Sequence, residues 1–420
     1  MKKYFACLGW LLIVVPLETI YSGDALRVVA SNTTWGVTLK DFVPDFEKDS
    51  GIRVNLEVFG EEQLQQRLMV EFSSGTSDID VFMTRPPQEG RMMQKNGWYE
   101  DLMSFIRDDP EYDMDDYTPG SIQSTRINGV QTSIPVINEC EVLFYRKDLF
   151  EEAGLEPPET FAEVEKIAAK FTDRDKEIYG FMARGQRSPL VTQFSSFFYS
   201  FGADWFNQDT KTATLNTPEA LAAYEFYGRM LRLYGPEGIL NMSWPQCVAI
   251  FQQGKCAMYF DSNTLYRMLM DPKNSQVGDR TGVALFPSSP NGRRIYDSTG
   301  WAIAMYSGSR NKEVAWKFIR YMTDKARTLI SQGTHANPGA RKSAYANPEG
   351  SRNFPPDWVK AVRDTAPYGV GYDRPLVTAV SEARDFIGTV VMAAIEGRDF
   401  KFEAEKANKA FQEILDRENN

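Results

Sequence analysis

Between Ala25 and Met83 the apolar pattern alternates between strand and helix period, and this constrains the fold more than any other feature. Ala25 to Ser31 is a buried-strand run. Phe42 and Phe46 recur at helical spacing, and Gly51 ends that helix. Val54, Leu56 and Val58 alternate as one face of a strand. Leu64, Leu68, Met69 and Phe72 return to helical spacing, with Gly75 as the stop, and Ile79 to Met83 is a third short strand. A β-α-β-α-β order buries its faces only as an α/β layer with a mainly parallel sheet flanked by helices.

The alternation continues with different content. Thr160 and Glu163 form a capping box for a helix to about Phe171. Thr217-Pro218 opens another that ends before Gly235-Pro236. Gln252 to Ser262 is a helix end, a turn and a strand leading to Asp261 and Ser262. Ala302 to Tyr306 is a strand, Lys312 to Met322 a helix, and Asn337 to Pro356 a Pro/Gly-rich loop region. Helical segments at about 376–396 and 402–417 finish the chain. With 420 residues, 42% of them hydrophobic, there is enough apolar side chain for two cores.

The formal net charge of -10 argues against a nucleic-acid- or membrane-binding surface, which needs a basic face. Lys2 and Lys3 precede an apolar run from Phe5 to Leu17, too short to span a bilayer, and Ser22, Gly23 and Ala25 follow. Residues 1–23 therefore read as a secretory signal cleaved near 23–25, with no membrane insertion after processing. Cys140, Cys247 and Cys256 remain, so at least one thiol is unpaired. Cys247 and Cys256 could bridge or stay free, since sequence does not supply the distance a disulfide needs. Cys140 reads as a small buried apolar residue.

Enzyme chemistries have little to build on. The one histidine, His335, excludes multi-histidine zinc sites and reads as a solvated loop residue. No nucleophile elbow, P-loop or dinucleotide fingerprint is present. No metal or cofactor is expected.

The stretch Gly129 to Gly154 is a turn, an apolar run, the polar pair Asn138-Glu139, a second apolar strand and a helix closed by Gly154. It resembles the hinge segment of bacterial extracellular solute-binding proteins of the maltose-binding type. Phe251 to Met258 is similar to that family's F-x-x-G-K-x-A-M turn, and Ser309 to Ile319 to its S-x-N-K-E-x-A-W-x-F helix. Asn337 to Tyr345 resembles its loop before the last helices. In this order and at these separations the motifs cover nearly the whole mature chain.

The resemblance implies a two-lobed periplasmic-binding-protein fold (type II) joined by a multiply crossed hinge. It places 24–135 with about 300–345 in an N-terminal lobe and 138–297 with about 346–420 in a C-terminal lobe. The hinge lies near 135–139 and 297–301. It also implies a periplasmic monomer that delivers a small solute to the membrane permease subunits of an ABC importer.

In open parallel sheets, ligands sit beyond the carboxyl ends of the strands. That rule selects Asn32, Thr33 and Trp35 after the first strand, Glu61 after the second, and Thr84 and Arg85 after the third. In the second half it selects Arg184, Gln186, Asp261 and Ser262. Asn138, Glu139, Gly300 and Trp301 join them at the crossings, and Trp205 and Trp244 lie near loops. Carboxylates, amides and guanidinium groups suit hydroxyls that donate and accept, and an aromatic ring suits the C–H face of a sugar. Asp80 has an alternative role in tying down a neighbouring loop, and Arg341 and Arg374 one in bracing a lobe. The expected solute is a sugar, polyol or related hydroxylated molecule, and an anionic version stays open through Arg85 and Arg184. A glycoside hydrolase, which needs only two placed carboxylates, and a polyamine binder are the alternatives.

Overall fold

The computed structural model describes residues 25–75 and 77–419. The apolar N-terminal run lies outside them, as does the expected cleavage region at 23–25 except for Ala25. Strands Leu26–Ser31, Val54–Phe59 and Val81–Thr84 form the parallel layer, with Leu26–Ser31 in the middle. Helix Thr34–Ser50 starts where the Thr33 hydroxyl accepts from the Gly36 N–H and stops at Gly51, whose φ of 70° suits glycine. Helix Glu61–Ser74 stops the same way at Gly75. Trp35, Leu39, Phe42, Phe46, Leu64, Leu68 and Phe72 bury against the sheet.

Two long strands tie the molecule together. Ile134–Arg146 was expected as two strands parted by Asn138-Glu139, but it is one continuous strand of 13 residues. The polar pair does not break it because its neighbour, Ile295–Met305, pairs antiparallel along this stretch. The Asn138 amide donates to Asp297 Oδ1 at 2.5 Å. The second strand starts earlier than the expected Ala302, since residues 295–301 complete this pairing. Gly300 is an extra residue in the ladder, between Thr299 opposite Asn138 and Trp301 opposite Ile137, and such a bulge re-aims its neighbours.

The ends of these strands serve different cores. Ile134–Ile137 and Trp301–Met305 pack into the first, built mainly from 26–136 and 301–340. Cys140–Phe144 and Ile295 pack into the second, built mainly from 140–295 and 336–415. In that second half, strands Met258–Ser262 and Thr281–Leu285 flank the long strand antiparallel, while Tyr179 and Met182 add parallel bridges to Cys256 and Tyr259. A third crossing is stitched to the hinge, where the Asn337 amide donates to the Val136 carbonyl at 2.9 Å and the Asn138 N–H to the Pro338 carbonyl at 2.8 Å.

Two expectations need correction. His335 is not a solvated loop residue: it ends helix Lys325–His335, which Asp324 caps. Its ring packs edge-on to Phe42 and lies 3.6 Å from Asp41. The Asn337–Pro356 region is not all loop, because Lys342–Ala346 and Pro348–Ser351 are short helices, the latter capped by Asn347 with proline in its first turn. Cys140, Cys247 and Cys256 are buried free thiols. Among the described residues no helix is long and apolar enough to cross a membrane, and no group of three or more His, Cys, Asp or Glu is placed to hold a metal.

Candidate functional site

Where the long strands pass between the cores, a cleft of about 400 Å³ opens, with walls from both halves. Of the residues selected from sequence, Glu61, Arg85, Glu139, Arg184, Trp244, Gly300 and Trp301 line it. The rest do not. Thr33 is a helix cap, Trp35 is buried in the first core, and Asn32 is exposed away from the cleft lining. Thr84 is buried with its hydroxyl 2.6 Å from the Tyr99 hydroxyl. Asn138 is spent on Asp297, and Gln186 is exposed outside the cleft. Ser262 is buried, with its hydroxyl 2.8 Å from that of Thr264. Trp205 is fully buried, stacked on Phe198, and donates its indole N–H to the Tyr199 hydroxyl at 2.6 Å. A loop tryptophan with such a partner is core, so it makes no cleft wall.

Asp261 acts one layer behind. Its carboxylate accepts from Arg184 Nε at 2.9 Å and Nη2 at 2.6 Å, and also from Gln193, the Tyr259 hydroxyl and the Ser262 N–H. Burial works against the Arg184 charge, but Asp261 outweighs it and holds the guanidinium above its ordinary value. The bidentate grip fixes Arg184 at the cleft.

The first-half wall begins with Arg85, whose guanidinium is 3.3 Å from Glu61 and lies over the Trp301 ring at 5.5 Å. The Arg85 N–H also donates to buried Glu89 at 3.0 Å. Gln88, in the turn Pro86–Gly90, reaches across the cleft. Its Oε1 accepts from Arg374 Nη1 at 2.6 Å and from Arg384 Nη1 at 3.2 Å, both on the second half.

Glu139 sits at the crossing, half-buried, with its carboxyl against Gly300. Burial, then the charge of Asp373, push its pKa up to about 7, and Arg184 and Arg374 only partly offset them. Asp373 goes the other way: burial raises it, but Arg374, paired at 2.9 Å, and Arg384 bring it below the usual carboxylate value.

Arg374, Arg384, Asp373, Thr192 and Gln88 were missed as site residues. Arg374 had been assigned to bracing, which Arg341 does perform: it is fully buried and donates to the backbone carbonyls of Tyr112, Asp113 and Thr323. Nothing local marks Arg374 or Arg384, since only the packing of the late loop and helix Val380–Glu396 brings them to the cleft. Trp244 had been noted as a platform, and its half-exposed ring lines the second-half wall at the start of helix Trp244–Gln252. The ensemble offers guanidinium and hydroxyl donors, carboxylate acceptors and two indole rings, which suits a polyhydroxylated molecule.

The family model for bacterial extracellular solute-binding proteins matches residues 30–327. The mannitol-binding protein of Pseudomonas aeruginosa is 27% identical over 350 residues, 81% of this chain and 79% of its own. An ABC transporter solute-binding protein from Agrobacterium radiobacter, solved with ribitol, is 28% identical, with a TM-score of 0.79 over 93% of this chain and 99% of that one. One from Agrobacterium vitis, solved with D-mannitol, is 27% identical, with a TM-score of 0.72 over 94% and 98%.

Proposed function

Because the chain belongs to the bacterial extracellular solute-binding protein family, we propose that it is an extracytoplasmic receptor for a sugar, polyol or related hydroxylated solute. It takes that solute in the interlobe cleft and hands it to the permease subunits of an ABC importer. The observation that carries this reading is the cleft itself, where polar groups from both halves face one volume across strands shared by both cores. A solute touching both walls binds the closed form better than the open one and shifts the population towards closure. The mannitol- and ribitol-binding relatives support the solute class.

We place the lobes at 24–135 with about 300–345, and at 138–297 with about 346–420. The strand segments 135–139 and 297–301 act as hinge. Residues 1–23 direct export to the periplasm and are removed, and the mature protein works as a monomer without catalysis. The second reading is a glycoside hydrolase, favoured by the placement of two carboxyl groups, Glu139 and Asp373, on the same cleft.

A melting screen against polyols, sugars, sugar acids and polyamines tests the proposal. A ligand at 100 times its Kd adds about 2.7 kcal/mol of stability. Stabilisation by hydroxylated solutes without turnover of oligosaccharides supports the receptor. Product release supports the hydrolase, and stabilisation by amines alone sinks the polyol reading.

A further inference from the structure

Three of the four arginines on the cleft have a carboxylate of their own: Arg85 has Glu61 at 3.3 Å, Arg184 has Asp261 at 2.6 Å and Arg374 has Asp373 at 2.9 Å. Arg384 has none within 4.0 Å among the described residues. Its Nε and Nη2 donate to the Ser188 carbonyl at 3.1 and 2.7 Å, and its Nη1 to Gln88 Oε1. Two guanidinium groups, those of Arg374 and Arg384, thus converge on one neutral amide oxygen contributed by the opposite lobe. A charged oxygen at that point accepts the same bonds more strongly. Partly buried positive charge with only neutral acceptors is electrostatically unsatisfied, and burial together with Arg374 pushes Arg384 below its ordinary value.

We propose that Arg384, with Arg374 beside it, forms an anion subsite, and that the preferred solute is a hydroxylated monoanion such as a sugar acid, its carboxylate taking the place of Gln88 Oε1. A single unpaired guanidinium matches one negative charge, which favours a carboxylate over a phosphomonoester. The inference rests on the receptor reading above and narrows its solute class.

The test is calorimetric titration of the full mature chain at neutral pH with D-mannitol, D-mannonate, ribitol, D-ribonate and mannitol 1-phosphate. Each acid binds about 10-fold or more tightly than its parent polyol, the value of one added charge-assisted bond. Acid affinity falls with added salt while polyol affinity does not. In Arg384→Gln the acid-to-polyol ratio drops towards one, and Arg384→Lys restores part of it; circular dichroism melts check folding. Polyols binding as well as their acids, or the phosphate ester binding best, overturns the subsite. An Arg384→Gln variant that weakens acid and polyol in equal proportion does so too. The salt dependence of the wild type decides the matter if the variant fails to fold. Binding of none of the five overturns the subsite, and the receptor reading falls with it only when the melting screen also finds no stabilising hydroxylated solute, a result distinct from a lost preference.

Discussion

The two walls of the cleft are built by different means. On the first lobe, Glu61 and Arg85 follow directly from the ends of parallel strands and pair with each other. Trp301 lies on the strand beside them with the Arg85 guanidinium over its ring. That wall is close to charge-neutral and aromatic. On the second lobe, Arg184, Arg374 and Arg384 come from a loop, a late turn and a helix distant in sequence, and one of the three lacks a carboxylate. The first wall can stack and position a solute, whereas the second discriminates by charge. The contrast locates specificity in the part of the chain that strand-end reasoning does not reach.

The largest expected effect breaks the second wall from behind. Asp261→Ala leaves Arg184 buried without its partner. Removing one side of a buried pair costs roughly 3–5 kcal/mol, here nearer the lower figure because Arg184 keeps some exposure. Urea unfolding monitored by fluorescence reads the loss, and solute affinity falls with it. No comparable loss follows Glu61→Ala on the first wall, where the pair with Arg85 is half-exposed and worth under about 1 kcal/mol. Equal destabilisation by the two changes would erase the distinction between the walls.

Next comes the seam between them. A β-carbon on Gly300 would stand 2.3 Å from Glu139 Oε1, so Gly300→Ala forces that carboxyl to move within the cleft. Overpacking of this kind costs about 1–3 kcal/mol. It is expected as a roughly 10- to 100-fold weaker Kd by titration calorimetry, with a smaller change in melting temperature because the Glu139 side chain can swing aside.

Much of the first lobe is legible in the sequence because its signals are local. Gly51 and Gly75 need left-handed backbone, so their helices end where residue type demands, and in the second lobe the Thr160 capping box likewise marks where its helix begins. The long hinge strand was misread because Asn138 looks like a strand breaker until Asp297, distant in sequence, accepts its amide. Trp205 failed for the same reason, since its partner, the Tyr199 hydroxyl, belongs to a fully buried aromatic helix, Leu190–Ser200. Glu61, Arg85, Glu139, Arg184, Gly300 and Trp301 reach the cleft by the strand-end rule or the crossing. Arg374 and Arg384 reach it only through packing of the last helices, which leaves no local mark.

A proton at the crossing gives the third test. Glu139, with a native value near 7, faces Asp373, Arg184, Arg374 and Glu61. A carboxyl whose value is raised on folding binds more protons in the native state than in the unfolded one. Its contribution to stability is therefore complete below about pH 4.5 and is lost as pH rises through 7. Glu139→Gln should flatten the stability profile over that window by up to about 1.4 kcal/mol per pH unit, measured by urea melts at several pH values. Asp297, raised by burial to about 6, keeps its own slope in the variant as an internal control. An unchanged profile would mean that Glu139 is ionised throughout the window and that the seam carries no proton.

The smallest effect sharpens the comparison most. Gln88 is the first-wall residue whose oxygen meets the surplus charge of the second, and it does so across the cleft. The two bonds of its oxygen, with the 3.4 Å bond from its Nε2 to the Ser381 hydroxyl, help hold the lobes together in the absence of solute. Exposed to water on opening, the two from arginine are worth about 1–2 kcal/mol as hydrogen bonds to charged groups. Gln88→Ala should therefore shift the ligand-free protein towards the open form by about 5- to 30-fold. Solution scattering would then show a larger ligand-free radius of gyration than wild type. With saturating solute the two should coincide, because the solute then bridges the walls in place of the amide. A variant as compact as wild type without solute would mean that the second wall's charge is balanced from within its own lobe, and the asymmetry between the walls would lose its consequence for closure.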